Sequence, residues 1–247
     1  MKVICLGNGE AVDEKHPNNS FLLLSKSKLM LDCGFSAPYQ LWKYNDGKDF
    51  LDFVYISHTH ADHYFGLAAL ICRLDDEKRE KQLTVICQNG SEKIIRQMIN
   101  LGYPGKGDLT WLKFIEVNEG DVLLVNEFAM EFAWTAHSVR GMAIRIEADE
   151  KIICYSGDGM FTKASERLYT NSDLLIHESF GVKIRKTGHS VFSEVIAMAK
   201  KHDVKVLALT HFDRFERRKC LKNIKETIST EKEIKILLPE PMDEMNL

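Results

Sequence analysis

Hydrophobic positions in this chain fall into short runs that switch between two periods. The first half opens with strand-like runs at Lys2–Leu6, Phe21–Ser25, Lys28–Asp32 and Asp52–Ser57. Turn-like Asn18-Asn19 and Ser25-Lys26-Ser27 separate three of them. A helix is predicted from His63 to Leu74, because Phe65, Leu67, Ala68, Leu70 and Ile71 recur at helical spacing. A strand at Leu83–Cys87 and a helix at Ser91–Leu101 follow, with Ser91 as the expected N-cap. The middle reads as strands at Leu112–Val117, Val122–Leu124, Phe128–Thr135, Met142–Glu147 and Lys151–Tyr155. The last third alternates: a helix after Phe161, a strand at Leu174–His177 and a helix at Ser190–His202. A strand at Val204–Thr210 and a helix at Arg214–Ile228 complete it. Two strand-rich halves, each with helices, predict an α/β protein of two sheets packed face to face with helices outside.

Composition narrows this little. Of 247 residues, 45% are hydrophobic and 28% charged, the proportions of an ordinary globular chain. A net charge of −3 gives no global field for nucleic acid or an acidic membrane, so an anionic substrate would need a local patch. No apolar stretch approaches the roughly 18 residues that span a bilayer. Cys5, Cys33, Cys72, Cys87, Cys154 and Cys220 form no C-x-x-C pair, and several lie in apolar runs suited to buried thiols. Free thiols and no export signal predict a cytoplasmic protein.

The chemistry is concentrated in Ser57-His58-Thr59-His60-Ala61-Asp62-His63, which follows an apolar strand and precedes a helix. Strand ends are where α/β proteins place ligands. Three imidazoles and a carboxylate so close together could be buried only if each found a partner, and a divalent cation supplies one to all of them. The plain alternative is a solvated His-rich loop. Further candidates stand just past later strands: His137 after Phe128–Thr135, Asp158 in the turn Ser156-Gly157-Asp158-Gly159, and His211 after Val204–Thr210. Each alone would read as a packed or surface residue; together they repeat one pattern.

The run His58-Thr59-His60-Ala61-Asp62-His63 resembles the H-x-H-x-D-H signature of the metallo-β-lactamase fold superfamily, and His137, Asp158 and His211 follow in the expected order. Leu6-Gly7-Asn8-Gly9 and Leu31-Asp32-Cys33-Gly34 look like loops of that family beside its site. The resemblance implies an αββα sandwich of two mixed sheets, with residues 1–247 forming one hydrolase domain. It implies that His58, His60 and His137 hold one metal ion. Asp62, His63 and His211 hold the other, and Asp158 bridges them. The ions are expected to be Zn2+, with Mn2+ as the alternative. Two cations about 3.5–4 Å apart would activate water at neutral pH, with Asp62 as ligand and base.

Ile176-His177-Glu178-Ser179-Phe180, Thr187-Gly188-His189-Ser190 and Leu209-Thr210-His211-Phe212 look like motifs of ribonuclease Z and related phosphodiesterases. Carried over, Glu178 orients His189, and His189 contacts the scissile phosphate or protonates the leaving oxygen. A histidine merely preceding an N-cap at Ser190 is the plain alternative. His177 is expected to be structural, and His16 and His202 to be surface residues. Ribonuclease Z carries a long tRNA-gripping arm between the equivalents of His137 and Asp158, where this chain has only twenty residues. The expected substrate is thus a phosphodiester: an RNA 3′ region, a cyclic nucleotide or a smaller ester. No membrane partner is expected, and a homodimer is compatible. Lys183, Arg185, Lys186, Arg214, Arg217 and Arg218 are candidates to hold phosphate oxygens. A lactonase or thioesterase is the competing class, but its relatives place the third metal histidine in a G-H-T-x-G-H-like loop, whereas this chain has Thr135-Ala136-His137-Ser138-Val139.

Overall fold

The computed structural model describes residues 1–247. Fourteen strands form two seven-stranded sheets. The first sheet takes β1 (Lys2–Gly7), β2 (Ser20–Leu24), β3 (Lys28–Leu31), β4 (Phe53–Tyr55), β5 (Leu83–Gln88) and β6 (Leu112–Val117). The second takes β7 (Val122–Val125), β8 (Phe128–Thr135), β9 (Gly141–Ala148), β10 (Lys151–Tyr155), β11 (Leu174–Glu178), β12 (Val206–Thr210) and β13 (Lys235–Leu237). The last strand, β14 (Glu244–Asn246), returns to the first sheet beside β1.

The two sheets repeat one direction pattern. Each begins with antiparallel neighbours and ends with three parallel pairings, β3 to β6 in one and β10 to β13 in the other. Parallel strands need crossovers, and the helices supply them. They are α1 (Ala37–Tyr44), α2 (Ala61–Tyr64), α3 (Gly66–Asp76), α4 (Ser91–Gly102), α5 (Lys163–Tyr169), α6 (Phe192–Lys201) and α7 (Arg214–Thr230).

Three apolar clusters make four layers. Val3, Phe21, Leu29 and Tyr55 meet Phe132, Ile144, Ile153 and Ile176 between the sheets. Ile4, Met30 and Val85 face Leu41, Leu67, Leu70 and Ile95 of the first helical layer. Leu175, Leu207 and Leu209 face Leu168, Val195, Ala199 and Ile224 of the second. This is the αββα sandwich expected from the sequence.

Four local expectations need correction. The single helix predicted from His63 is broken at Phe65, because the Gly66 N–H leaves the helix to donate to the Cys33 carbonyl at 2.9 Å. Ser91 is not an N-cap. Gly90 takes that place with φ 89°, and the Glu116 carboxylate from β6 accepts from the Gly90 and Glu92 N–H groups. Ser190 is not an N-cap either: α6 starts after Val191, and the Ser190 hydroxyl donates to the Gly159 carbonyl. Helix α1 and strands β13 and β14 were not foreseen, since eight and three residues carry too little periodicity to register.

Candidate metal centre

The seven predicted ligands converge at one edge of the sandwich, drawn from both sheets. His58, His60, Asp62 and His63 come from the loop after β4 and the start of α2. His137 follows β8, Asp158 follows β10 and His211 follows β12.

Local backbone chemistry fixes each position. The Ser57 N–H and hydroxyl both donate to Asp32, each at 2.7 Å, which pins the chain just before His58. The Cys33 N–H donates to the His63 carbonyl at 2.7 Å. Gly34 packs so tightly against this loop that a Cβ there would lie 1.8 Å from the Asp62 carbonyl oxygen, so only glycine fits. Asp158 sits between Gly157 (φ 60°) and Gly159 (φ 120°), both in backbone conformations that favour glycine. His211 is itself left-handed (φ 55°), held by its N–H to the Asn8 carbonyl at 3.0 Å.

The donor atoms fall into three overlapping groups, each spanning no more than 4.8 Å: His58, His60 and His137; Asp62, His63, Asp158 and His211; and His137, Asp158 and His189. In the first, the His60 Nδ1 lies 3.0 Å from both His58 Nε2 and His137 Nε2. In the second, Asp158 Oδ2 lies 3.4 Å from the Nε2 atoms of His63 and His211, and 4.0 Å from that of His137. Asp62 Oδ2 lies 3.2 Å from His63 Nε2 and 3.5 Å from His211 Nε2.

The surroundings show which nitrogens are free for a cation. His63 donates from Nδ1 to the Asp32 carboxylate at 2.7 Å, and His137 donates from Nδ1 to the Gly188 carbonyl at 2.7 Å. His58 Nδ1 meets the Ser57 hydroxyl at 3.0 Å, and that hydroxyl already gives its proton to Asp32. An acceptor on Nδ1 leaves each Nε2 lone pair aimed inward, as metal-binding imidazoles require. His63 Nε2 and Asp158 Oδ1 are buried without a hydrogen-bond partner. Buried orphans of this kind are costly, and a divalent cation satisfies them. The residues present therefore fit a pair of cations.

Charge is balanced inside the cluster. Burial pushes His58 well below the usual imidazole range, with His63 adding to it. Burial acts the same way on His63 and His211, but the carboxylates win. Asp158, Asp62 and Asp32 hold His63 well above its ordinary value, and Asp158 and Asp62 lift His211 to about 9. Burial works to raise Asp62 and Asp158, yet His63 and His211 hold both carboxyls well down. Protons on His63 and His211 thus occupy the place that cations would take.

Glu178, at the end of β11, is wholly buried. Its Oε1 faces His189 Nδ1 at 3.2 Å and accepts from the Gly159 and Ser190 N–H groups; its Oε2 accepts from the Phe180 N–H. His189 stacks on Phe180 (centroids 4.2 Å apart) and stands 4.7 Å from the His137 ring. His177 is buried between Tyr169 and Phe161, away from the ligands. His16 and His202 are not free surface residues. Both are half-buried, with His16 facing Glu240 at 3.5 Å and His202 held by Glu166 and Thr170.

The basic residues expected to hold phosphate are largely committed elsewhere. Arg214 pairs with Glu10 and Arg218 with Glu14, and buried Arg217 pairs with Glu240 at 2.9 Å. These pairs tie α7 to the loop after β1 and to the segment before β14. Arg185 pairs with Glu194. Lys183 and Lys186 stay exposed and make no ion pair. Asp32 is the main residue that the sequence reading left without a role. Its signal was an acid directly after an apolar strand, in Leu31-Asp32-Cys33-Gly34.

Known proteins resemble this arrangement. Ribonuclease Z of Macrococcus caseolyticus is 22% identical, in an alignment of 312 positions covering 100% of both chains. Since this chain has 247 residues, at least 65 of those positions (312 − 247) have no counterpart in it. The metallo-β-lactamase fold protein YhfI of Bacillus subtilis superposes with a TM-score of 0.84 at 22% identity, covering 99% of this chain and 98% of that one. The short form of human tRNase Z superposes with a TM-score of 0.81 at 20% identity, covering 100% and 99%. The fold is the metallo-β-lactamase fold and the chain is ribonuclease Z-like, as its motifs implied. The model of one family, that of the anti-Pycsar protein Apyc1, matches residues 1–232, and the chain belongs to it.

Proposed function

We propose that this chain is a dinuclear metal-dependent phosphodiesterase acting on small phosphodiesters, cyclic nucleotides among them, rather than on tRNA. The observation that carries this reading is the buried Glu178 carboxylate facing His189 at 3.2 Å, with His189 against the ring of His137. An imidazole so placed can serve a leaving group without being a ligand.

His58, His60 and His137 would hold one cation, Asp62, His63 and His211 the other, with Asp158 shared. Zinc suits this nitrogen-rich set. Bound there, a pair of divalent cations supplies positive charge that activates water and offsets the charge building on phosphoryl oxygens. The Asp62 carboxylate takes the proton of the attacking water. His189 donates a proton to the departing oxygen, and Glu178 fixes the ring so that Nε2 is the donating atom. Phe180 stacks on the His189 ring and restricts its plane.

The small-substrate reading rests on what lies between His137 and Asp158. Beyond the site loops, β9 and β10 are joined only by the turn at Asp149 and Glu150. Nothing there extends to grip a folded RNA, and four of the six candidate phosphate-binding residues are spent on internal ion pairs.

The test is a panel on zinc- or manganese-loaded protein: bis-p-nitrophenyl phosphate, cyclic nucleotides, pre-tRNA, a lactone and a thioester. The reading expects cleavage of the first two with little or no pre-tRNA processing. Efficient lactone or thioester hydrolysis with every phosphodiester intact would overturn it.

A further inference from the structure

Four buried polar residues form a chain of hydrogen bonds that crosses between the sheets three times beside the candidate metal centre. Asp32, at the end of β3 in the first sheet, accepts from the Tyr155 hydroxyl at 2.6 Å. Tyr155 ends β10 in the second sheet. Its hydroxyl accepts from the Asn19 side-chain amide at 3.0 Å, just before β2 in the first sheet. The Asn19 carbonyl oxygen accepts from the Thr210 hydroxyl at 2.6 Å, at the end of β12 in the second sheet. All four side chains are essentially sealed from solvent.

The two ends of this chain touch the same group of ligands. Asp32 holds His63 through Nδ1 at 2.7 Å, and Thr210 is covalently joined to His211. His63 comes from the first sheet and His211 from the second, so their separation depends on how the sheets sit at this edge. Apolar packing between the sheets is not directional and tolerates small sliding. Hydrogen bonds of 2.6–3.0 Å do not, and inside a protein they are costly to leave unmade.

We infer that Tyr155, Asn19 and Thr210 are positioning residues that set the distance between His63 and His211, and so the affinity of the second metal site. The inference rests on the two-cation reading above. It differs from plain fold stabilisation because its effect falls more heavily on one of the two sites: His137 has its own brace in Gly188, and His58 meets the network only through Ser57, which donates to Asp32. A built-in comparison is Tyr55, whose hydroxyl also crosses between the sheets, donating to the Met142 carbonyl at 2.6 Å, but joins no residue of this chain of bonds.

The experiment is zinc titration of the full-length protein against a chromophoric chelator, resolving two equivalents, with the step missing from Asp62→Ala marking the second site. Tyr155→Phe keeps the ring and removes the hydroxyl; Thr210→Val is nearly isosteric and breaks the far link. Each is expected to weaken the second equivalent by roughly 10–100-fold, the usual range for outer-shell partners, and to weaken the first clearly less. Tyr55→Phe should lower thermal stability without changing either equivalent. Wild-type affinities in both Tyr155→Phe and Thr210→Val overturn the inference and leave the metal centre standing. So does an equal weakening of both sites, or the same second-site loss in Tyr55→Phe. A wild-type protein that takes up no zinc overturns the two-cation reading itself.

Discussion

Oε1 of Glu178 lies 3.2 Å from Nδ1 of His189 and also accepts the N–H groups of Gly159 and Ser190. One buried oxygen thus ties the candidate acid to the turn that carries Asp158. Glu178 is a structural hub as well as the residue proposed to position His189.

His189→Ala should keep metal content near wild type and lower kcat by roughly 10²–10⁴, the range for losing a positioned general acid. The loss should shrink for p-nitrophenolate esters, which need little protonation. Rate against leaving-group pKa, for wild type and variant, is the measurement. Parallel lines would rule out the acid role.

Glu178→Gln should cost more than a milder copy of that effect. The amide that replaces one carboxylate oxygen would face N–H groups, which it cannot accept. A stability loss of about 2 kcal/mol or more is expected, alongside a lower kcat. Chemical denaturation of metal-loaded protein checks it; unchanged stability would mean that the carboxylate does not bind the turn.

Asp62→Ala should lose activity and the second metal together. Metal analysis after desalting should return about one ion per chain, against two for the wild type, if the sites are distinct. Retention of two ions would remove Asp62 from the ligand set.

Metal-free and metal-loaded protein should diverge with pH. In the stripped protein His211 is raised to about 9 by Asp158 and Asp62, against burial. Its contribution to stability is complete below its ordinary value of about 6.5 and is lost as pH rises toward 9. Cation binding needs the neutral imidazole, so affinity moves the opposite way. The gap in Tm between the two forms should widen from pH 6 to pH 9, which thermal melts in matched buffers would read. A constant gap would contradict the proton–metal exchange.

Arg217→Met should reduce stability by about 1–3 kcal/mol, because it removes a buried partner of Glu240, and leave KM for phosphodiesters unchanged. Arg218→Ala, at the more exposed pair with Glu14, should leave stability near wild type. A large rise in KM in either variant would return these arginines to the substrate.

By itself, the sequence determined most of the strands and helices in order, though not α1, β13 or β14, together with the αββα layering and the ligand types at strand ends. Those features are local: a period of two or 3.6 reports which face is buried, and His58-Thr59-His60-Ala61-Asp62-His63 declares its chemistry within six residues. Tertiary structure alone decided what holds the ligands and what the arginines do. Arg214, Arg217 and Arg218 share a helical face that reads as a phosphate site until Glu10, Glu14 and Glu240 arrive from distant segments. Asn19, Tyr155 and Thr210 are unremarkable in the chain, and His63 shows no sign of its bond to Asp32. Their partners lie far away in sequence. Polar pairing at such range depends on which strands come to rest side by side, and no periodicity along one strand encodes that.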